Sequence, residues 1–194
     1  MRLPPVVLEG ALVRLEPLEP RHFDAVLTAA LSDPAIWTHI PYHVRERADV
    51  ERLFAIADRV QAAESAIVFA TCAGPERRVV GSTTIRVSDP ATPSVEIGST
   101  WIVPAWQRTR VNTEAKYLQL SHCFERLEIA RVELKTDARN ARSRAAIRRI
   151  GAIEEGTLRS HMRRQDGTLR DSVYFSVIAS EWPAVKASLA AKLA

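Results

Sequence analysis

The segment of this chain best equipped for chemistry is Trp106-Gln107-Arg108-Thr109-Arg110-Val111-Asn112-Thr113-Glu114-Ala115-Lys116. It is a basic loop, rich in amides and hydroxyls, lying between a predicted strand that ends at Val103 and a predicted helix that begins near Val111. The first turn of a helix leaves N–H groups without intrahelical partners and carries the positive end of the macrodipole, so such a junction can hold a pyrophosphate. Arg108 and Arg110 would add charge-assisted hydrogen bonds. The same residues also fit a plain polar loop in which Asn112 or Thr113 only caps the helix.

Other reactive side chains carry less. Asn140 opens a second predicted helix and reads as an N-cap on its own chemistry. His39 and His43 stand four apart, but Pro41 lies between them and no third ligand is evident, so no metal site is expected. Cys72 and Cys123, the only cysteines, have no neighbour at metal-ligand spacing, and Cys123 falls in mid-helix, poorly placed for a nucleophile. His161, Met162, Arg163 and Arg164, with Asp166 and Asp171, fall in the terminal hairpin and read either as a mixed-charge, solvated surface or as a border of an acceptor site.

These residues need elements to position them. Leu8–Pro17 has strand character, and Glu19–Leu31 and Arg47–Ala63 follow with apolar residues at helical spacing. Ala66–Cys72, Val79–Val87 and Val95–Val103 read as three successive antiparallel strands separated by turn-rich segments. Val111–Leu127 returns to helical period, and Arg131–Thr136 alternates as a strand reached by a helical crossover, hence parallel to its predecessor. Asn140–Ile150 is a helix stopped by Gly151; Gly156–Arg164 and Leu169–Ile178 form a hairpin; Glu181–Leu193 closes the chain as a helix. The order is β α α β β β α β α β β α, with no internal repeat or linker, and a single domain over residues 1–194 is expected.

The 194 residues, 46% hydrophobic and 26% charged, suffice for a core without disulfide or zinc staples. The net charge of +4 comes from 27 basic and 23 acidic residues dispersed along the chain rather than gathered in a stripe, which argues against nucleic acid as a partner. No apolar run approaches the length of a membrane helix, and the start lacks a signal-peptide core, so a cytoplasmic protein is expected.

The layout, with Trp101-Ile102-Val103-Pro104, the Gln107 loop, Asn112-Thr113-Glu114-Ala115-Lys116, the strand Val132–Thr136 and Asp137-Ala138-Arg139-Asn140-Ala141-Arg142-Ser143, resembles the GNAT acyl-CoA N-acyltransferases, and within them the RimJ/RimL-like branch. The resemblance covers roughly residues 13–182. It implies an α+β fold: a central, mostly antiparallel sheet with one splayed parallel strand pair, flanked by helices. The family's acyl-CoA loop (Gln or Arg, two residues, Gly, one residue, Gly or Ala) falls on Gln107, Arg108, Thr109, Arg110, Val111 and Asn112, so Arg110 and Asn112 fill two normally small positions. Arg110 would either clamp a phosphate or obstruct the site. The resemblance further assigns Trp101, Ile102 and Val103 to the pantetheine arm through their backbone, Thr113 to the phosphate loop, and Asn140, Ser143 and Arg144 to the rest of the acetyl-CoA site.

The activity implied is acetyl transfer from acetyl-CoA to a primary amine, of a protein N-terminus or a small molecule, by direct attack in a ternary complex and without metal. Glu96, eleven residues before Gln107, is the candidate base. The tyrosine acid familiar in the superfamily would fall at Ile147, which leaves Ser143 to bond the departing sulfur. A homodimer is compatible with the resemblance. The alternative is a binding or regulatory protein of the same fold with an impaired acyl-CoA site, marked by Arg110.

Overall fold

The computed structural model describes residues 1–194. Eight strands form one sheet: β1 (Leu8–Glu9), β2 (Val13–Pro17), β3 (Ala66–Ala73), β4 (Arg78–Asp89), β5 (Ser94–Ile102), β6 (Arg131–Asp137), β7 (Ile153–Arg163) and β8 (Leu169–Ile178), in spatial order β1-β2-β3-β4-β5-β6-β8-β7. Every neighbouring pair is antiparallel except β5 and β6. Five α-helices join them: α1 (Phe23–Leu31), α2 (Arg47–Ala62), α3 (Val111–Glu125), α4 (Ala141–Arg149) and α5 (Trp182–Leu193). None is long and apolar enough to cross a membrane.

The elements follow the predicted order with one correction. The strand expected over Leu8–Pro17 is a tight hairpin: Leu8 pairs with Leu15 and Glu9 with Arg14, and the Gly10 N–H donates to the Val13 carbonyl. The turn is held from outside, because the Glu114 carboxylate on α3 accepts the N–H groups of Ala11 (3.0 Å), Leu12 (2.7 Å) and Val13 (2.5 Å). Smaller shifts have local causes. Pro20 starts a 3-10 turn that delays α1 to Phe23, and β7 begins at Ile153 because Ile153 and Glu154 already pair with β8. Gly151, at φ 100°, ends α4 in a conformation that would strain any other residue there.

Two apolar layers sandwich the sheet. Val13, Leu15, Ile67, Phe69, Ile85, Val95, Ile97, Val132, Leu134, Val173, Phe175 and Val177 point to one face, where Val111, Leu120 and Cys123 of α3, Ile147 of α4 and Val185 and Leu189 of α5 cover them. On the other face α1 and α2, with Trp37 and Trp101, cover only the half of the sheet toward β2–β4. The β6 and β8 half of that face stays polar, carrying Glu133, Lys135 and Asp137 opposite Ser176, Tyr174 and Ser172.

Strands β5 and β6 pair only at Ser94–Arg131, Val95–Val132 and Glu96–Glu133, although both run on, to Ile102 and Asp137. Beyond Glu96 they part, and backbone groups of β5 on that side lose their ladder partners. On its other side β5 bulges against β4: Ser99 and Thr100 together face Thr83, with Ser99 at φ 50°. Chain closeness at the end of this bulge requires Gly81, where a Cβ would overlap the carbonyl oxygen of Trp101.

Candidate active site

The loop leading into α3 is an array of free donors. The N–H groups of Arg108, Thr109, Arg110, Asn112 and Thr113 donate to no protein group, while the Val111 N–H is taken by the Thr109 hydroxyl at 3.2 Å and helical bonding begins with Glu114 N–H to the Arg110 carbonyl. Arg108 at φ 62° turns the chain so that successive amides lie together. Five unpaired amides at a helix N-terminus are donors that a phosphate-type anion could accept from.

Gln107 fixes the loop from behind: its Nε2 donates to the Ile102 carbonyl (2.7 Å), and its Oε1 accepts from Arg142 Nη1 (2.6 Å), which ties the loop to the start of α4. There the Asn140 side chain caps α4 by accepting the Ser143 N–H at 3.0 Å, as its own chemistry suggested, and the Ser143 hydroxyl has no protein partner. Seven of the residues assigned from sequence, Gln107 through Thr113, and the pair Asn140 and Ser143 therefore meet at one end of the parted strands.

Two of the assigned arginines have partners within the protein. Arg110 neither clamps nor obstructs the loop: its guanidinium reaches the carbonyls of Leu193 (2.8 Å) and Ala194 (3.4 Å) at the end of α5, leaving the amides open. Arg144 is engaged by Glu154 and the Ala138 carbonyl, each at 3.4 Å, so much of its charge is met within the protein. In β5 the Trp101 side chain is core, 5.3 Å from the Trp37 ring, and the Val103 N–H bonds the Val80 carbonyl.

Beneath the bulge lies a residue whose chemistry the sequence did not single out. Lys116, 4% exposed, donates from Nζ to Gln119 Oε1 (2.7 Å), Thr83 Oγ1 (3.0 Å) and Thr100 Oγ1 (3.1 Å), with no carboxylate among its partners. Burial pushes its ammonium down to about 7. A lysine depressed in the folded state and ordinary in the unfolded one makes the unfolded chain bind more protons between about pH 7 and pH 10, so stability rises with pH across that window. Lys116→Met is expected to remove that rise and leave melting temperature nearly flat from about pH 7 to pH 8, below the range in which the buried Cys72 and Cys123 thiols, raised by burial, oppose it; thermal melts across that range would check this.

Ion pairs hold the polar half-face beside the parted strands. Glu96 Oε2 lies 2.7 Å from Lys135 Nζ, and Asp137 receives Arg164 through both oxygens, at 2.8 and 3.2 Å. Asp137 is held below the usual carboxylate range; burial opposes this, while Arg164 and the Arg139 N–H outweigh it. His161 bonds the Ser172 hydroxyl through Nδ1 (3.0 Å) and lies 3.4 Å from the Tyr174 hydroxyl; desolvation, with Lys135 and Arg170 nearby, pushes it down, so it is neutral near pH 7.

The β7–β8 hairpin is exposed along β7, as a solvated surface would be, while its turn reaches the loop after α1. Gln165 at its turn donates to the carbonyls of Trp37 (2.8 Å), Ile40 (2.6 Å) and Tyr42 (2.5 Å), roofing the cleft with the loop after α1. Sequence spacing hides this contact, since its partners are more than 120 residues apart. A depression of about 320 Å³ runs between Thr38 and His39 of that loop and Asn140 to Arg142 of α4. Unpaired amides at the start of α3 and the polar half-face of β6 and β8 thus lie on either side of the point where β5 and β6 part.

Comparison with known proteins supports one family. The model of the family described as "Acetyltransferase (GNAT) domain" matches residues 13–153. The "Putative ribosomal N-acetyltransferase YdaF" of Bacillus subtilis is 35% identical over 91 residues, 47% of this chain and 49% of that protein, so the chain spans about half the length of that relative. A GCN5-related N-acetyltransferase from Brucella melitensis superposes with a TM-score of 0.90 at 32% identity, covering 100% of this chain and 88% of that one. Mycobacterium smegmatis RimJ in complex with CoA-disulfide superposes with a TM-score of 0.84 at 25% identity, covering 97% and 95%. With its parted parallel strands, its bulged β5 and a family match over residues 13–153, this chain belongs to the GNAT acetyltransferase family.

Proposed function

We propose that residues 1–194 act as one catalytic domain that transfers the acetyl group of acetyl-CoA to a primary amine in a ternary complex. The observation that carries this reading is the run of five unpartnered amides between Arg108 and Thr113, set at the end of the gap between β5 and β6. Those amides and the α3 N-terminus hold the pyrophosphate. The β5 backbone released beyond Glu96, through Trp101 and Ile102, bonds the extended pantetheine amides, and one of its N–H groups polarises the thioester carbonyl; Val103, assigned to the same role from sequence, has its N–H and carbonyl engaged by Val80 and Trp106. The Ser143 hydroxyl, free of protein partners, bonds the departing sulfur; a thiolate is a good leaving group, so Ile147 in place of an acid is no obstacle.

On the cleft side Glu96 accepts the proton that the amine must shed before its lone pair can attack. Its place on β5 at the last paired position puts it beside the gap, and Lys135 orients its carboxylate. Glu96→Gln is expected to lower turnover about 10²-fold below the acceptor amine's own pKa and much less above it, where the amine arrives neutral. His161, neutral near pH 7 on the same cleft, is the second acceptor of protons that the geometry favours. If Glu96→Gln leaves the pH–rate profile unchanged and His161→Gln removes its acid limb, the base is His161.

The transfer itself is tested by thiol release from acetyl-CoA across a panel of amines, including peptides of different N-termini. Turnover with at least one amine supports the reading; CoA binding without turnover on any points to a binding protein. The similarity to ribosomal and RimJ-type relatives favours a protein N-terminus as acceptor. The free, buried Cys72 and Cys123 fit a reducing cytoplasm as the site of action.

A further inference from the structure

Of the cations on the polar half-face, Lys135 and Arg164 each have a carboxylate in contact. Arg170 of β8 has none. It is 5% exposed, its Nε donates to the Ser172 hydroxyl at 3.0 Å, and its two terminal nitrogens donate to no protein group. The register places it with Ser172 and Tyr174 on the face shared by Asp137, Lys135 and, through Glu133, Glu96. The Ser172 hydroxyl also bonds His161, which lies against Tyr174, so the guanidinium is fixed at its Nε edge and open at its fork.

Burying a guanidinium without a counter-ion costs several kcal/mol, and a protein recovers that only when a partner arrives. The planar fork matches a carboxylate in two parallel hydrogen bonds. Burial lowers the Arg170 guanidinium from its usual value; Asp137 and Glu96 pull against this from beyond contact distance, and Arg164 adds to it.

We infer that Arg170 receives a carboxylate of the acceptor, so that the substrate is an amine bearing a carboxylate within a few bonds: a free amino acid, or a peptide whose N-terminal residues are acidic. This inference rests on the acetyltransferase reading above. It makes Arg170 a specificity residue of the cleft, apart from the acyl-CoA loop.

The test compares carboxylate and carboxamide partners in two arms: amino acids against their amides, and C-terminally amidated peptides beginning with Asp or Glu against those beginning with Asn or Gln. Which arm is used distinguishes a small-molecule acceptor from a protein N-terminus. The wild-type protein is expected to favour the carboxylate member by about tenfold or more in kcat/KM in at least one arm. Arg170→Gln is expected to lower kcat/KM for that member about 10- to 100-fold, change the carboxamide less than about threefold, and leave the CoA dissociation constant unaltered. Arg170→Lys, keeping charge without the fork, should fall between.

Equal kcat/KM for both members in both arms overturns the inference, as does an equal fall for both in Arg170→Gln. An Arg170→Gln chain that fails to fold marks the residue as a structural cation and overturns it too. A wild-type protein that binds CoA and acetylates only uncharged amines defeats this inference alone; one that neither binds CoA nor releases its thiol defeats the acetyltransferase reading, and the inference with it.

Discussion

Glu114→Ala is expected to lower the melting temperature by about 6–12 °C, the largest stability loss of any single change outside the apolar core. The carboxylate is buried and accepts three consecutive backbone N–H groups at 3.0, 2.7 and 2.5 Å. Removing an acceptor leaves buried donors unsatisfied at about 1–3 kcal/mol each. Ala11 and Leu12 are exposed enough to recruit water, so the net cost is about 3 kcal/mol. For a chain of this size each kcal/mol moves the midpoint by about 2–4 °C. Glu114→Gln keeps one acceptor oxygen but turns a donor toward N–H groups, and should lose an intermediate amount. The loss should reach the site as well, because Glu114 directly follows Asn112 and Thr113 in the first turn of α3. Calorimetric melts check this; a fall of less than about 2 °C for the alanine variant would show that the hairpin does not depend on the carboxylate.

Asn112→Asp is expected to separate binding from stability, with opposite signs. A carboxylate in the first turn complements the helix dipole and stabilises by about 0.3–1 kcal/mol, so the melting temperature should hold or rise slightly. The same charge stands among the free amides of Arg110, Asn112 and Thr113, where an incoming phosphate must sit. At about 5 Å, two like charges repel by about 1–3 kcal/mol for effective dielectric constants between water and a protein surface. The dissociation constant for CoA should therefore rise about 10- to 100-fold. A constant within about threefold of wild type, measured by calorimetry, would remove the α3 N-terminus from the phosphate site.

Much of this site was legible in local sequence. The segment Gln107 to Thr113 between a strand and a helix is a local pattern, and its physical consequence, unpaired amides at a helix start, is present. Asn140 followed by Ser143 is likewise a local capping signal and forms the expected cap. The order of elements along the chain and the parallel β5–β6 pair followed from periodicity and from the helical crossover between them.

What escaped were long-range polar contacts, which leave no periodic trace. Leu8–Pro17 reads as one strand until Glu114, about a hundred residues away, satisfies the amides of its turn. Lys116 looks like an ordinary polar residue of an amphipathic helix; only the bulge at Thr100 and the facing Thr83 give a buried ammonium somewhere to donate. The β7–β8 hairpin carries the composition of solvated surface, yet Asp137 neutralises Arg164 and Gln165 finds three carbonyls in the loop after α1. Arg110 showed the converse: its type suggested a phosphate ligand, and the end of α5 offered it nearer acceptors.

The most direct test of this account is a calorimetric titration of the wild-type chain with acetyl-CoA, with Arg110→Gly titrated alongside. The open amides predict one site per chain with a dissociation constant in the micromolar range or tighter, little changed by Arg110→Gly because that side chain already points to the C-terminus. Wild-type binding no tighter than millimolar, restored by Arg110→Gly, would mean that Arg110 blocks the loop and that this chain is not an acetyl-CoA-dependent transferase.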